Sequence, residues 1–164
     1  MARRPQHQTM ADPITFEPFP GSDLAEWIDR TRLNYIDERV SGGDSRAEAA
    51  ANADATIERL FPNGSPAPGQ LIGQLISMTQ AIGYLWVGIA GSDPERWWVW
   101  DVMIDEQFRG QGFGRQALKL AEALARKEGA VTIGLNVLGH NHVARALYTS
   151  LGYTETALQM RKAI

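Results

Sequence analysis

The chain has 164 residues, of which 44% are hydrophobic and 21% are charged, and its formal net charge at pH 7 is −3. These values are typical of one soluble globular domain, and they argue against a nucleic-acid-binding surface because no basic run exceeds Arg3-Arg4. The absence of cysteine excludes disulfides, thiolate metal sites and a cysteine nucleophile. No apolar stretch reaches the roughly 18 residues of a membrane span, and no secretory signal is recognisable, so we expect a cytoplasmic protein that does not insert into a membrane.

Hydrophobic periodicity predicts a single domain over residues 14–164, preceded by a disordered tail over residues 1–13. The predicted elements, in chain order, are strand 14–19, helix 22–40 with Ser22 as N-cap, a helix from Asp44 or Ser45 to Leu60, strands 70–78, 81–90 and 97–104, helix 113–127, strand 131–138, the helix that begins at Asn141 and ends before Gly152, and strand 153–162. This order predicts an α/β sandwich of three layers, with a mixed, mostly antiparallel central sheet flanked by helices.

The most informative stretch is the glycine-rich segment between strand 97–104 and helix 113–127. Its sequence, Arg-Gly-Gln-Gly-Phe-Gly over residues 109–114, places three glycines at the start of a helix. Glycines there cost conformational entropy, and a helix N-terminus with unpaired N–H groups suits a phosphate or pyrophosphate. The segment lacks the Gly-Lys-Ser/Thr ending of a P-loop, and its glycine spacing does not fit a dinucleotide fingerprint. A tight turn without a ligand remains the alternative.

Residues 109–114 resemble the Gln/Arg-x-x-Gly-x-Gly/Ala signature of the GNAT N-acetyltransferase superfamily. Residues 141–153 resemble that superfamily's late Asn-x-x-Ala-x-x-Leu-Tyr-x-x-Leu-Gly-Phe/Tyr block. The resemblance covers residues 97–153, and the first 95 residues carry little of it. It implies the GNAT fold, which has the predicted element order, and acetyl-CoA as the co-substrate. Dimers are common in this superfamily, so a homodimer is possible.

The resemblance assigns the cofactor-binding residues. Backbone amides of the glycine-rich segment would hold the CoA pyrophosphate, and these residues are Arg109, Gly110, Gln111, Gly112, Phe113 and Gly114. The main chain of Met103 and Ile104 would bond the pantetheine arm like an added strand. Arg115 either contacts a phosphate or is a solvated charge on the helix surface. Asn141 is a candidate N-cap, and the resemblance adds a contact to the pantetheine or acyl region.

Two residues are candidates for the catalytic chemistry. Tyr148 lies on an apolar stripe and reads as a core tyrosine, whereas the resemblance makes it the general acid that protonates the departing thiolate. Asp101 is either a structural carboxylate or a general base with a pKa raised by its aromatic strand, and alternation places it on the face of Val99 and Met103. Many superfamily members have glutamate where this chain has Asn136, so an ordered water is an alternative base. The three histidines are scattered and predict no metal site.

The sequence therefore predicts an N-acetyltransferase that moves an acetyl group from acetyl-CoA to a primary amine of a small molecule or peptide. The absence of cysteine rules out an acyl-cysteine intermediate, so the transfer would be direct or would use another nucleophile, and we expect direct attack by the amine within a ternary complex. The alternative is a CoA-binding regulatory module with weak or no catalysis, which the amide at position 136 favours. A nucleotide-binding domain for ATP or NAD fits the spacing poorly.

Overall fold

A central sheet with helices on both faces makes up the computed structural model, which describes residues 12–158, 160 and 162. The elements are β1 (Ile14–Pro18), α1 (Gly21–Ser41), α2 (Arg46–Leu60), β2 (Gln70–Ser77), β3 (Gln80–Ile89), β4 (Arg96–Ile104), α3 (Phe113–Lys127), β5 (Thr132–Leu135) and α4 (His142–Ser150), with single 3₁₀ turns at Pro62–Gly64 and Glu106–Phe108. The five strands lie in sequence order, and every pair is antiparallel except β4–β5. The predicted fold class is confirmed.

The two faces of the sheet carry separate apolar layers, because side chains alternate along each strand. On one face, Leu85 and Val87 of β3 pack with Leu118 and other buried residues of α3. On the opposite face, Tyr84 and Trp86 pack with Trp27 of α1. The result is the predicted three-layer arrangement, with α1 and α2 on one side and α3 and α4 on the other.

A β-bulge in β4 changes which face its later residues occupy. Val87 is opposite Val99 and Trp86 is opposite Asp101, so Trp100 is an extra residue without a partner in the ladder. Val99 packs with the α3 layer, whereas Met103 packs with the α1 layer. The sequence predicted that Asp101 shares a face of the sheet with Val99 and Met103. This prediction was wrong for Val99, because the strict alternation of side chains is interrupted at the bulge.

The sheet opens between β4 and β5. The two strands pair only from Arg96 to Val99, opposite Thr132 to Leu135, and β5 then ends. Residues 100–104 of β4 therefore have no strand partner on that side within the described part of the chain. The predicted strand over 131–138 was too long, since Val131 is exposed and the chain leaves the sheet after Leu135.

Two further predictions about the elements were wrong. No strand forms among the described residues of segment 153–162, whose Leu158 and Met160 are exposed and so bury no apolar face. Instead, Glu155 forms an ion pair with Arg145 of α4. Pro20, not Ser22, precedes the first turn of α1, and the Ser22 hydroxyl donates a hydrogen bond to the Asp23 carboxylate.

Three more predictions concern the start of α2, the N-terminal tail and the absence of a membrane span. Ser45 is the N-cap of α2, where a capping box with Glu48 forms. The predicted tail falls on residues 1–11, outside those described, and on residues 12 and 13, which have no regular structure. Among the described residues, no helix combines the length and apolar character needed to cross a bilayer.

Candidate active site

The glycine-rich segment forms a loop of unpaired backbone donors at the start of α3. Gly110 and Gly112 have φ angles of 73° and 90°, a conformation that favours glycine. No side chain caps this end of α3. Within the described part of the chain, none of the backbone N–H groups of residues 110–114 donates a hydrogen bond. Five successive free donors at a helix N-terminus form an environment that suits an anion.

Two side chains fix this loop to the structure that precedes it. The Arg109 guanidinium donates through Nε to the carbonyl oxygen of Ile104 at 2.8 Å, so it connects the loop to the end of β4. The side-chain amide of Gln111 donates to the carbonyl oxygen of Gln107 at 3.2 Å. The backbone donors of the loop therefore remain available while its side chains hold its shape.

Arg115 and Gly114 join the start of α3 to α4. The Arg115 guanidinium donates to the Ser150 hydroxyl at 2.6 Å, and that hydroxyl donates to the carbonyl oxygen of Leu147. Arg115 is exposed, yet it is anchored to α4 and does not merely point into solvent. A Cβ on Gly114 would lie 3.4 Å from the Leu147 side chain, so a residue with little bulk is needed where the two helices meet.

The end of β4 lies beside the loop and along the opening in the sheet. The main-chain carbonyl of Met103 points towards Gly83 of β3, since a Cβ on Gly83 would collide with it. The carbonyl of Ile104 instead accepts the bond from Arg109. The side chains of Met103 and Ile104 pack against the apolar layers on opposite faces of the sheet.

Asp101 lies beside the opening with its carboxylate bonded to a tyrosine of the neighbouring strand. The Tyr84 hydroxyl donates to Asp101 Oδ2 at 2.8 Å. Burial raises the pKa of Asp101 above its ordinary value, and the Tyr84 hydroxyl opposes part of that increase. Burial, followed by the nearby Asp101 charge, raises the pKa of Tyr84. No sequence motif identifies Tyr84, because its hydrogen bond to Asp101 depends on the bulge.

Tyr148 approaches the same region from α4. It packs against the apolar layer of α3, as its stripe predicted. Burial raises the pKa of Tyr148, and the Asp101 carboxylate raises it further, so the two groups interact although they come from opposite faces of the sheet. The phenol therefore stays protonated at neutral pH and can donate a proton. Asn141 is the N-cap of α4, where its side-chain oxygen accepts from the backbone N–H of Ala144 at 3.1 Å.

A separate cavity of about 700 Å³ lies beside β5 and the start of the C-terminal segment. Trp98, Arg126 and Glu155 contribute to its wall, and Tyr148 borders it. Neither Asp101 nor the loop over residues 109–114 does so, so the cavity does not coincide with the unpaired N–H groups of the loop.

Comparisons with known proteins agree with this geometry. The family model described as "Acetyltransferase (GNAT) family" matches residues 24–153. The chain is 27% identical over 154 residues to the Bacillus subtilis (strain 168) protein named "Uncharacterized N-acetyltransferase YycN", covering 92% of this chain and 99% of that protein. It is also 27% identical over 152 residues to YdgE of the same organism, likewise named an uncharacterized N-acetyltransferase, covering 91% and 92% respectively.

Solved structures show the same architecture. The crystal structure of YycN, titled a putative acetyltransferase, superposes with a TM-score of 0.78, covering 92% of this chain and 98% of that one. A Pyrococcus furiosus protein titled a putative acetyl transferase is 22% identical with a TM-score of 0.60, covering 92% and 99%, and it supports the fold alone. The family model spans most of the chain, including the glycine-rich loop and α4. The chain therefore belongs to the GNAT acetyltransferase family.

Proposed function

We propose that the protein transfers an acetyl group from acetyl-CoA to a primary amine of a small molecule or peptide. The observation that carries this proposal is the loop at residues 110–114, whose unpaired N–H groups lie where β4 parts from β5. A pyrophosphate bound to those N–H groups would direct the rest of the acetyl-CoA molecule along the open edge of β4. Membership of the GNAT family supports the identity of the donor.

The residues around the opening fit such a donor. The N–H groups of residues 110–114 would bind the pyrophosphate, and the exposed guanidinium groups of Arg109 and Arg115 lie close enough to add charge. The main chain of Ile104 borders the open edge, whereas the carbonyl of Met103 is directed at β3. In this proposal the pantetheine therefore contacts Ile104 more than Met103, and Asn141 lies at the N-terminus of α4 on the other side of the opening.

Acetyl-CoA supplies a thioester, whose carbonyl carbon the amine attacks as the carbon–sulfur bond breaks. Asp101, with its carboxylate at the opening, accepts the proton that the attacking nitrogen loses. Tyr148 donates its phenolic proton to the departing sulfur. Asp101 then releases its extra proton to solvent and Tyr148 takes one up from solvent, so both residues return to their starting protonation states. The opening holds the acceptor beside the donor, so no covalent acetyl-protein intermediate is required.

Thermal unfolding with different ligands first tests whether the protein binds acetyl-CoA. Acetyl-CoA at about 100 times its Kd should stabilise the fold by about 2.7 kcal/mol, which corresponds to a Tm increase of roughly 5–10 °C. CoA should act similarly, whereas ATP and NAD at the same concentration should not. If neither acetyl-CoA nor CoA raises the Tm, the loop does not bind the donor and the proposal fails.

Release of free CoA in the presence of a panel of amines tests the chemistry. We expect release that depends on one or more amines and that Asp101→Asn reduces by about 100-fold. Ligand-dependent stabilisation without release from any amine would instead support a CoA-binding regulatory module. That alternative rests on Asn136, which is exposed just beyond β5 and offers no carboxylate.

A further inference from the structure

Tyr84 is held firmly in a buried aromatic cluster on the face of the sheet covered by α1. It is 9% exposed, and its ring meets that of Trp27 edge-on at a centroid distance of 5.7 Å. Trp27 also packs edge-on against Trp86 at 5.5 Å and is itself 1% exposed. A ring packed in this way has little rotational freedom, so the direction of its hydroxyl is set by the core.

The hydroxyl of this fixed ring reaches the Asp101 carboxylate because of the bulge. Tyr84 pairs with Met103, and Asp101 is its diagonal neighbour across the β3–β4 ladder. Without the extra residue at Trp100, alternation from Val99 would place position 101 on the α3 face, away from Tyr84. The bulge therefore brings the carboxylate under the tyrosine, and the resulting Oη–Oδ2 distance is 2.8 Å.

We propose that Tyr84 is a positioning residue for the proton acceptor of the acetyl transfer. The inference rests on the proposed function, in which Asp101 is that acceptor. By donating to one carboxylate oxygen, Tyr84 fixes the rotation of the carboxylate and stabilises its charged form. Burial acts in the opposite direction, since it favours the neutral acid that cannot accept a proton. Tyr84 thus orients a buried carboxylate and offsets part of the effect of burial on its pKa.

The charged and titratable groups around this pair come from three elements. Arg30 of α1 and Asp105, directly after β4, act on Tyr84 with opposite signs, Arg30 lowering its pKa and Asp105 raising it. Tyr148 of α4 comes from the opposite face of the sheet, and the Asp101 charge raises its pKa. The hydrogen bond from Tyr84 is the contact that favours the Asp101 anion most strongly, with a smaller contribution from the backbone N–H of Val102.

The first test is a titration of Asp101 by carbon NMR in protein labelled at aspartate carboxyl carbons, with the resonance assigned by its loss in Asp101→Asn. In Tyr84→Phe the Asp101 pKa should rise above that of the wild type. Tyr35→Phe is the matched control, because it removes a hydroxyl bonded to Arg39 and should leave the Asp101 titration unchanged. An unchanged Asp101 pKa in Tyr84→Phe overturns the proposal, and this holds whether or not an acceptor amine has been found.

The second test uses the amine that supports CoA release. Tyr84→Phe should lower kcat by about tenfold at neutral pH and move the acidic limb of the pH profile upwards, while the Kd for acetyl-CoA stays the same. In the Asp101→Asn background the same substitution should cause no further loss. An equal loss in both backgrounds would show that Tyr84 acts independently of Asp101. Absence of CoA release with every amine would contradict the proposed function but not the NMR result.

Discussion

Asp101 and Tyr148 are the two side chains to which the proposed mechanism assigns the proton transfers. They come from opposite layers, one from β4 on the α1 face and the other from α4, and the charge of Asp101 nevertheless raises the pKa of Tyr148. Such an interaction through the sheet is possible because β4 has no strand partner beyond Val99 on that side among the described residues. In the proposed mechanism, the opening would thus allow an acid and a base from separate layers to act on the same pair of substrates.

Replacing Tyr148 with phenylalanine separates its two predicted uses. The ring keeps its packing against the apolar layer of α3, so the fold and the affinity for acetyl-CoA should be nearly unchanged. Loss of the phenolic proton should lower kcat by about 100-fold. Steady-state kinetics and direct binding of acetyl-CoA measure the two quantities. A large loss of affinity with unchanged turnover would make Tyr148 a binding residue and contradict its role as general acid.

The glycine-rich loop shows how much of a single element can be predicted from sequence. Three glycines followed by an amphipathic pattern predicted a loop and a helix, and both form, with α3 over Phe113–Lys127. The N-cap Asn141 was also predicted, and its side chain accepts from a backbone N–H three residues later. The start of α2 was predicted at Asp44 or Ser45, and Ser45 is its N-cap. These features are local, so the sequence of one short segment determines them.

Features that depend on contacts between distant segments were missed. The bulge at Trp100 is set by the register between β3 and β4, and an apolar run does not reveal which residue is extra. The Tyr84–Asp101 bond, formed across 17 residues, follows from that register. The last predicted strand also failed for a non-local reason, since Glu155 pairs with Arg145 of α4 and no strand next to β5 forms among the described residues.

The loop geometry predicts how Gly112→Ala behaves. A Cβ there meets no other atom, but an alanine at a φ of 90° should cost about 1–2 kcal/mol of folding free energy. The new methyl group should also keep a pyrophosphate from the backbone and weaken acetyl-CoA binding about tenfold. Urea unfolding and titration with acetyl-CoA measure the two effects.

Gly91→Ala is the matched control for that substitution. Gly91 has a φ of 79°, its Cβ would also meet nothing, and it lies in the turn that precedes β4, at the end of the strand away from the loop. The two variants should lose similar stability, whereas only the loop variant should lose affinity for acetyl-CoA. Equal affinities in both variants would mean that the backbone near Gly112 does not contact the donor.

At the scale of the whole molecule, the buried Asp101 links folding stability to pH. Its pKa is raised in the folded protein from an ordinary value of 3.8, chiefly by burial. The folded state therefore binds the proton more tightly than the unfolded state, so this residue lowers stability progressively as pH rises from 3.8 through the raised pKa. Above that range the destabilisation is complete and constant.

Asp101→Asn should remove this dependence and give a more stable protein at neutral pH. The amide oxygen can still accept the Tyr84 hydroxyl, so the hydrogen bond survives while the buried charge is lost. Urea midpoints measured from pH 4 to pH 8 should diverge between variant and wild type as pH rises, with the variant higher. Equal urea midpoints at every pH would show that the surroundings of Asp101 do not disfavour its charged form. The expected outcome is a stability gain obtained at the expense of activity.

The early end of the β4–β5 pairing has a consequence for the order of events in a catalytic cycle. In the proposed mechanism, acetyl-CoA held by the loop would lie with α3 and α4, while an acceptor near Asp101 and Trp100 would lie on the face covered by α1. Two ligands that meet through the sheet from opposite sides do not obstruct each other's route to solvent. We therefore expect that either substrate can bind first and that the acetylated product and CoA can leave independently. In the proposed mechanism, the gap in the sheet would let the two substrates meet although each binds from a different face.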